Sequence, residues 1–547
     1  MSTIAATATS GSGALHLLRQ RLRRDRVQLP LWILGTVALA ASAVGGVVES
    51  YGDLDGRITV LATVMANPVI LMFRGLPSGS GEAQVALFLI LPFLAMLAAF
   101  MSTFLAVRHT RTEEEQGRAE LISATPAARV TPLVATIVHG VLANIVLAVL
   151  VGLVFIGAGY PAPGSWVSAL AVASVGLCFL GVGLLAAQLV RTSRGANSLA
   201  VWILLATYVM SGLGNALGTP SADLTRMESS WLAWLSPFGW AENTRPYADD
   251  AVWPALLGIG VGVVLTAVAF AVQSVRDLGE GIVPQRHGRT WAPASLGSPM
   301  GLVWRMTSGS VLGWAIGGFL TGLLATSLAS VINEIGTKVE AVQRVFEALS
   351  KSGGLESGMV VIFYLMVGVL AACAAVQTVC RARQEEVHGT AEPVLATAVD
   401  RVRWLADYLV VAFGAVVLIV AAAIAGSALG AAHSDGSLMQ DAVVAGIGQG
   451  IAACVFLVLT ALVFVLAPRA TIVVGWMLVM VALIIGLFGP LFSLPDWLTN
   501  LSPFTQTPVL ASDGVDLKGV WWLAGAAAVG AAASLVLMRR RELHPTA

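Results

Sequence analysis

Charge is scarce in this sequence. Only 11% of the 547 residues are Asp, Glu, Lys or Arg, while 57% are hydrophobic. An ordinary soluble domain carries about 25% charged residues, so a water-soluble fold of this size is excluded and lipid is the natural solvent for most of the chain. Lysine is scarcer still: Lys338, Lys351 and Lys518 are preceded by Thr, Ser and Leu. None completes the Gly-Lys-Ser/Thr run that cradles nucleotide phosphates in a P-loop, so the chain lacks that kind of ATP site. The 31 basic and 31 acidic residues cancel, leaving no basic excess for nucleic acid. The four cysteines, Cys178, Cys373, Cys380 and Cys454, all fall in apolar runs and read as small packed side chains rather than a disulfide framework or metal site.

Long apolar runs are what the sequence has in abundance. Windows of about 20 residues pick out twelve expected spans, at 29–48, 86–107, 132–156, 167–190, 197–217, 251–274, 311–332, 358–380, 404–430, 442–466, 471–492 and 519–538. The first follows a basic stretch and contains Ala41-Ser42-Ala43, which resembles a signal-peptide cleavage site. Its full span length, and a matching segment in the second half, favour a retained span. The segment 58–73 is short, contains Asn67-Pro68 and ends at Arg74, so it reads as an amphipathic surface helix. With the N-terminus inside, the inner segments hold 23 Lys/Arg and the outer loops 8, the bias expected of a cytoplasmic face. Both termini are thus expected in the cytoplasm, with Lys338 and Glu242 outside the plasma membrane.

The halves repeat one another. Arg23 and Trp32 match Arg305 and Trp314 at a spacing of 282, and residues 111–130 match 383–402 at 272 without gaps. Ten of those twenty positions are identical, among them Arg111/Arg383, Glu113/Glu385, Glu114/Glu386, Gly117/Gly389 and Glu120/Glu392. Further on, Leu235-Ser236-Pro237-Phe238 matches Leu501-Ser502-Pro503-Phe504 at 266, and Arg276-Asp277-Leu278 matches Arg541-Glu542-Leu543 at 265. Six spans per half gives both copies one orientation and a pseudo-twofold axis along the membrane normal. The expected fold is therefore all-α and polytopic, with twelve transmembrane helices in two parallel six-helix pseudo-repeats. Its parts are an amphipathic cytoplasmic segment 1–28, a first half 29–274, a linker with a second interfacial segment 275–310, a second half 311–538 and a tail 539–547.

The repeated block lies between the second and third spans of each half, on the expected cytoplasmic side. Paired carboxylates, a glycine, a third Glu and a short apolar patch suit a surface helix that shows acidic side chains to a basic groove on a soluble partner. A solvated charged loop that only obeys the orientation rule is the alternative. The pattern E-E-x-x-G-x-x-E after the second of six spans resembles the coupling segment of type-2 ATP-binding-cassette exporters. Together with R-R-D-R near the start, S-P-F before each sixth span and R-D-L-G after it, it resembles actinobacterial permeases of the tetronasin-type polyketide-antibiotic and mycobacterial multidrug systems, over essentially the whole chain. The resemblance implies a membrane-spanning subunit that exports hydrophobic or amphipathic compounds such as antibiotics, drugs or lipids. It implies P-loop ATPase subunits docked on cytoplasmic coupling helices that contain Arg111, Glu113, Glu114, Gly117 and Glu120 and Arg383, Glu385, Glu386, Gly389 and Glu392; the likeness of the two repeated blocks leads to the expectation of two copies of one ATPase. ATP and Mg would belong to that partner, and this chain would be no enzyme and hold no cofactor or metal. The second copy departs from the first at Val387 in place of Glu115, and at Pro393 in place of Leu121.

Bulky, adaptable side chains suit a path for apolar substrates. The second and eighth spans offer Phe93, Met96, Phe100 and Phe104, then Phe363, Tyr364 and Met366; the fifth and eleventh offer Trp202, Tyr208 and Met210, then Trp476, Met477, Met480 and Phe488. For any single one of them, ordinary helix packing or lipid contact is the simpler explanation. His139 reads as a proton relay or as a lone histidine bonded to a backbone carbonyl. Trp231, Trp234, Trp497, Trp521 and Trp522 read as interfacial anchors. A proton-coupled secondary multidrug transporter is the competing function, but Asp407 and His139 are the only titratable candidates it has in the spans. A membrane enzyme would need acidic or histidine clusters at one face.

Overall fold

The computed structural model describes residues 2–50, 54–65, 68–125, 128, 130–283, 290–336, 355–431, 437–488, 496–508, 510–511, 514–515 and 518–542. Lys338 and Lys351 lie outside the described residues, as does the side chain of Phe488. Among the described residues twelve helices are long and apolar enough to cross a membrane, and the remaining regular structure is one long N-terminal helix, short helices and two two-stranded hairpins. The protein is thus an all-α polytopic membrane protein. Its chain divides by internal contacts into two units, 1–287 and 288–547.

The first unit begins with α1 (Ser2–Arg24), followed by the spans α2 (Gln28–Ser50) and α5 (Glu82–Arg108). Between those spans lie two short helices, α3 (Leu54–Met65) and α4 (Pro68–Phe73), where the sequence suggested one surface helix over 58–73. Pro68 opens α4, a position at which its missing N–H breaks no helical bond. Neither helix is a candidate span, and Leu61 and Leu71 are fully buried. After α5 come the two small helices of the repeated block, α6 (Arg111–Glu115) and α7 (Arg118–Ser123). The spans α8 (Thr131–Gly157), α9 (Ala162–Leu189) and α10 (Ser193–Ala216) follow, then the short α11 (Pro237–Glu242) and the last span α12 (Trp253–Val275). Helix α9 is the most enclosed, packing on α5, α8 and α12. Tyr208 on α10 donates through its hydroxyl to the Phe73 carbonyl at 2.7 Å, which ties α4 to α10.

The second unit repeats this plan with α13 (Pro299–Gly336), α14 (Leu355–Val387), a four-residue α15 (Glu392–Leu395), α16 (Arg401–Gly430), α17 (Ser437–Leu466), α18 (Thr471–Phe488), the short α19 (Asp496–Thr499) and α20 (Lys518–Met538). Helices α13 and α14 overrun their apolar windows of 311–332 and 358–380, because helical hydrogen bonding continues through flanking polar residues. Helices α13 and α16 meet closely through small residues. A Cβ on Gly322 would stand 1.9 Å from the Ala423 carbonyl oxygen, and one on Gly426 would stand 2.0 Å from that of Phe319. Such reciprocal glycines let backbones pack where apolar association alone has no driving force in lipid. Trp231, Trp497, Trp521 and Trp522 are all at least 72% exposed, and Trp234 stacks on Trp253 at 5.0 Å.

Glu242 ends α11 inside the first unit, only 6% exposed. Asn215 Nδ2 donates to its Oε2 at 2.5 Å and Ser211 at 3.5 Å. Burial outweighs these bonds and pushes the carboxyl up to about 7. A folded-state value above the unfolded one means that the native protein binds the extra proton, so stability falls as pH rises from about 4.5 to 7 and is flat on either side. We expect Glu242→Gln to stabilise the protein by roughly 3 kcal/mol above pH 8 and by little below pH 4.5. Thermal unfolding of both forms across that range checks this; a gap that does not change with pH would refute it.

Candidate functional site

In both units the repeated block leaves the second span, turns at a glycine and starts a short helix. Gly117 has φ +69° and Gly389 φ +71°, the left-handed region that an L side chain enters only with strain. No heavy atom would lie within 4 Å of a Cβ at either position, so backbone conformation alone accounts for glycine there. Gly117→Ala should therefore cost about 1–2 kcal/mol and leave packing otherwise intact, as urea unfolding of the purified protein can measure.

The same ion cluster anchors the block in each unit. Arg111, fully buried, donates from Nε to the Ala187 carbonyl at 2.8 Å and from Nη1 to Glu114 at 2.9 Å. Glu114 is in turn held by Arg276, at the end of the last span, at 2.6 and 3.0 Å. In the second unit Arg383 donates to Glu386 at 2.9 Å, and Arg541 reaches the other Glu386 oxygen at 2.5 Å. The Arg541 guanidinium also lies 4.3 Å from the centre of the Phe464 ring, a cation–π contact. Each unit thus has an Arg–Glu–Arg clamp that ties the block to the end of its own sixth span. Arg276 and Arg541 occupy matching positions after their last spans, which made them visible as a repeat; nothing in that match pointed to the clamp.

The sequence reading had these carboxylates facing outward, and here the structure differs. The side chains of Glu114 and Glu386 are 7% and 2% exposed and are consumed by the clamp. Glu113 is bound by Arg118 at 2.6 and 2.9 Å and by Arg24 of α1. Glu385 pairs with Arg381 at 3.2 Å and accepts from Thr390 at 2.7 Å. What faces outward is Glu120 with Leu121 in the first unit and Glu392 with Pro393 in the second; Leu121 is 72% exposed. A cavity of about 270 Å³ adjoins the first block, between α1 and α7, lined among others by Leu17, Arg21, Arg24, Glu113 and Leu121.

The expected path residues do not behave alike. Phe93, Met96, Phe100 and Phe104 all lie half-buried on α5, and Phe100 stacks on Phe104 at 5.7 Å, which in turn meets Trp32 at 6.1 Å. Tyr364 is fully buried and hydrogen-bonded to Ser427 at 2.9 Å, with Phe363, Met366 and Trp476 packed around the same core. Tyr208 packs edge-on against Phe238 at 5.5 Å, and Met210 is half-buried. Trp202, Met477 and Met480 are exposed. We expect Phe100→Ala to change the relative transport of different substrates more than the amount of protein in the membrane, as uptake assays set against immunoblots can tell; uniform loss would return the residue to helix packing.

His139 is neither lone nor bonded to a carbonyl. It lies beside His109, ring centres 5.2 Å apart, and both face Asp25 at the junction of α1 and α2. The sequence pattern flagged Asp25 only within R-R-D-R, and His109 not at all.

Twelve apolar helices in two repeated halves, each with a clamped turn, define a polytopic membrane protein. The comparison with known proteins places it further. A family model described as the C-terminal domain of the multidrug efflux system permease Rv1217c matches residues 18–272 and 296–539, one stretch in each half. The multidrug efflux system permease protein Rv1217c of Mycobacterium tuberculosis is 32% identical over 540 residues, covering 97% of this chain and 96% of that protein. The chain belongs to this family of multidrug efflux permeases.

Proposed function

We propose that this chain is the membrane subunit of an ATP-driven pump that exports hydrophobic or amphipathic compounds, such as antibiotics, drugs or lipids, from the cytoplasm. Separate P-loop ATPase subunits, which bind ATP and Mg, dock on α7 and on α15 from the cytoplasmic side, where both termini lie in the plasma membrane protein. The repeated Arg–Glu–Arg clamp is the observation that carries this reading. A solvated loop has no use for buried charges, whose desolvation is costly. A segment that must pass force from a moving partner to the spans needs a stiff attachment, and each clamp ties its block to the second and sixth spans at once. Glu120 and Leu121, and Glu392 beside Pro393, are then the contact surface.

The two blocks are alike enough for two copies of one ATPase. Native mass spectrometry of the complex purified with its cognate ATPase should give one permease to two ATPase chains, and single cysteines at Glu120 and Glu392 should each cross-link to the ATPase. A 1:1 complex, or cross-linking at neither position, would refute the docking reading.

A further inference from the structure

We propose that Asp25, His109 and His139 form a binding site for one divalent transition-metal ion of the zinc class, between the N-terminal helix and the start of the first docking block. The ligand atoms of the three side chains lie within 4.8 Å of one another, and all three residues are buried. They come from three separate places: the α1–α2 junction, the residue just after α5, and α8. His109 Nε2 is 2.5 Å from Asp25 Oδ2, while His139 Nε2 is 3.9 Å from that oxygen, beyond hydrogen-bond reach.

His139 is the telling member. It is 0% exposed, and neither ring nitrogen has a hydrogen-bond partner among the described residues. A buried polar group left without a partner costs about 1–3 kcal/mol, so this ring calls for something in the space it faces. Ordinary packing would be served by a leucine there. A metal bound by His139 Nε2, His109 Nε2 and Asp25 Oδ2 would need only small shifts, replacing the hydrogen bond between Asp25 and His109. Two imidazoles and one carboxylate suit zinc, cobalt or iron rather than calcium or magnesium, which favour oxygen ligands. Three protein ligands leave a position for water.

The surroundings act on both sides. Arg108 Nη2 lies 3.3 Å from Asp25 Oδ1, which orients the carboxylate and leaves Oδ2 to the histidines, while its charge opposes a cation. Arg21 is occupied by Thr136 at 2.7 Å and by the carbonyls of Pro132 and His109 at 2.8 and 3.1 Å. Among the described residues the second half has no such site. The spacings of 282 and 272 put Thr307 opposite Asp25 and Arg381 opposite His109. A site confined to one half, two residues from the Arg111 clamp, is placed to stiffen one docking block and not the other.

The test uses the purified full-length chain in lipid nanodiscs, stripped with chelator and titrated with Co²⁺. We expect one ion per chain with a visible ligand-field band, and a rise in melting temperature with added metal. His139→Leu should lose both, beyond the roughly 10–100-fold weakening typical when an outer partner of a metal site is removed. His139→Cys keeps a ligand and should bind Co²⁺ with a new sulfur-to-metal charge-transfer band. His388→Gln, at an exposed histidine, should behave as wild type. Should His139→Leu fail to fold, the wild-type stoichiometry and the His139→Cys spectrum decide alone. No bound Co²⁺ in the wild type, equal binding by His139→Leu, or no sulfur band in His139→Cys would overturn the proposal and leave the pocket to a water or a shared proton only.

Discussion

Glu114→Ala should lower the stability of the protein by about 3–5 kcal/mol and abolish drug-stimulated ATP turnover by the assembled pump. The side chains of Arg111, Glu114 and Arg276 are 0%, 7% and 5% exposed, so removing the central carboxylate leaves two guanidinium groups close together without their shared counter-charge. Arg111 keeps its bonds to the carbonyls of Ala187 and Glu280, at 2.8 and 3.0 Å, but the link from the block to the end of α12 loses its charged centre. A second variant separates folding from coupling. Replacing all three residues by Met, Leu and Met removes the buried charges together, and apolar triads of this kind are neutral or stabilising. The triple variant should therefore recover stability. Its turnover then reports whether the directional ion pairs, rather than mere packing, carry motion to the spans. Chemical unfolding and ATPase assays on the same preparations supply both readings. A Glu114→Ala protein within about 0.5 kcal/mol of wild type, the scatter of ordinary surface changes, would show that the clamp is not a structural element. The same substitution at Glu386 should act alike in the second unit, where Arg383 and Arg541 form the matching pair.

The spans and the repeat were legible because they rest on local chemistry. An apolar run of span length has few alternatives, and the glycines at 117 and 389 recur because both turns enter left-handed backbone. Which way each carboxylate turns is not local. Glu114 meets Arg276 162 residues away and Glu386 meets Arg541 155 residues away, so two adjacent glutamates that look alike in sequence divide into one locked inward and one on the flank. His139 shows the same limit: its neighbours come from Asp25 and His109, which are themselves 84 residues apart. Aromatic and methionine positions were the least informative. Tyr364 and Met477 belong to the same pattern by type, yet one is fully buried and the other 54% exposed.

Leu121→Asp should cut ATPase binding to the first block by roughly 100-fold while leaving the permease as stable as wild type. Docking through Glu113 and Glu114 is a poor test, because reversing their charge would set cations against Arg24, Arg118, Arg111 and Arg276 and disturb the fold itself. Leu121 is different. It lies on α7, 72% exposed, and no ion pair depends on it. Full burial of a leucine in an interface is worth about 1.5–3 kcal/mol, and a carboxylate put in its place must be desolvated beside Glu120. Together these give about 3 kcal/mol, which is a factor of roughly 100 in affinity. The second block has Pro393 at the matching position, so an ATPase docked there would lack this apolar anchor, and Pro393→Asp should cost less. The prediction is thus an asymmetric one: Leu121→Asp weakens assembly strongly, Pro393→Asp weakly, and neither changes the melting temperature of the isolated permease. Surface-bound permease titrated with the ATPase measures both affinities, and an unchanged affinity for Leu121→Asp would remove α7 from the docking surface.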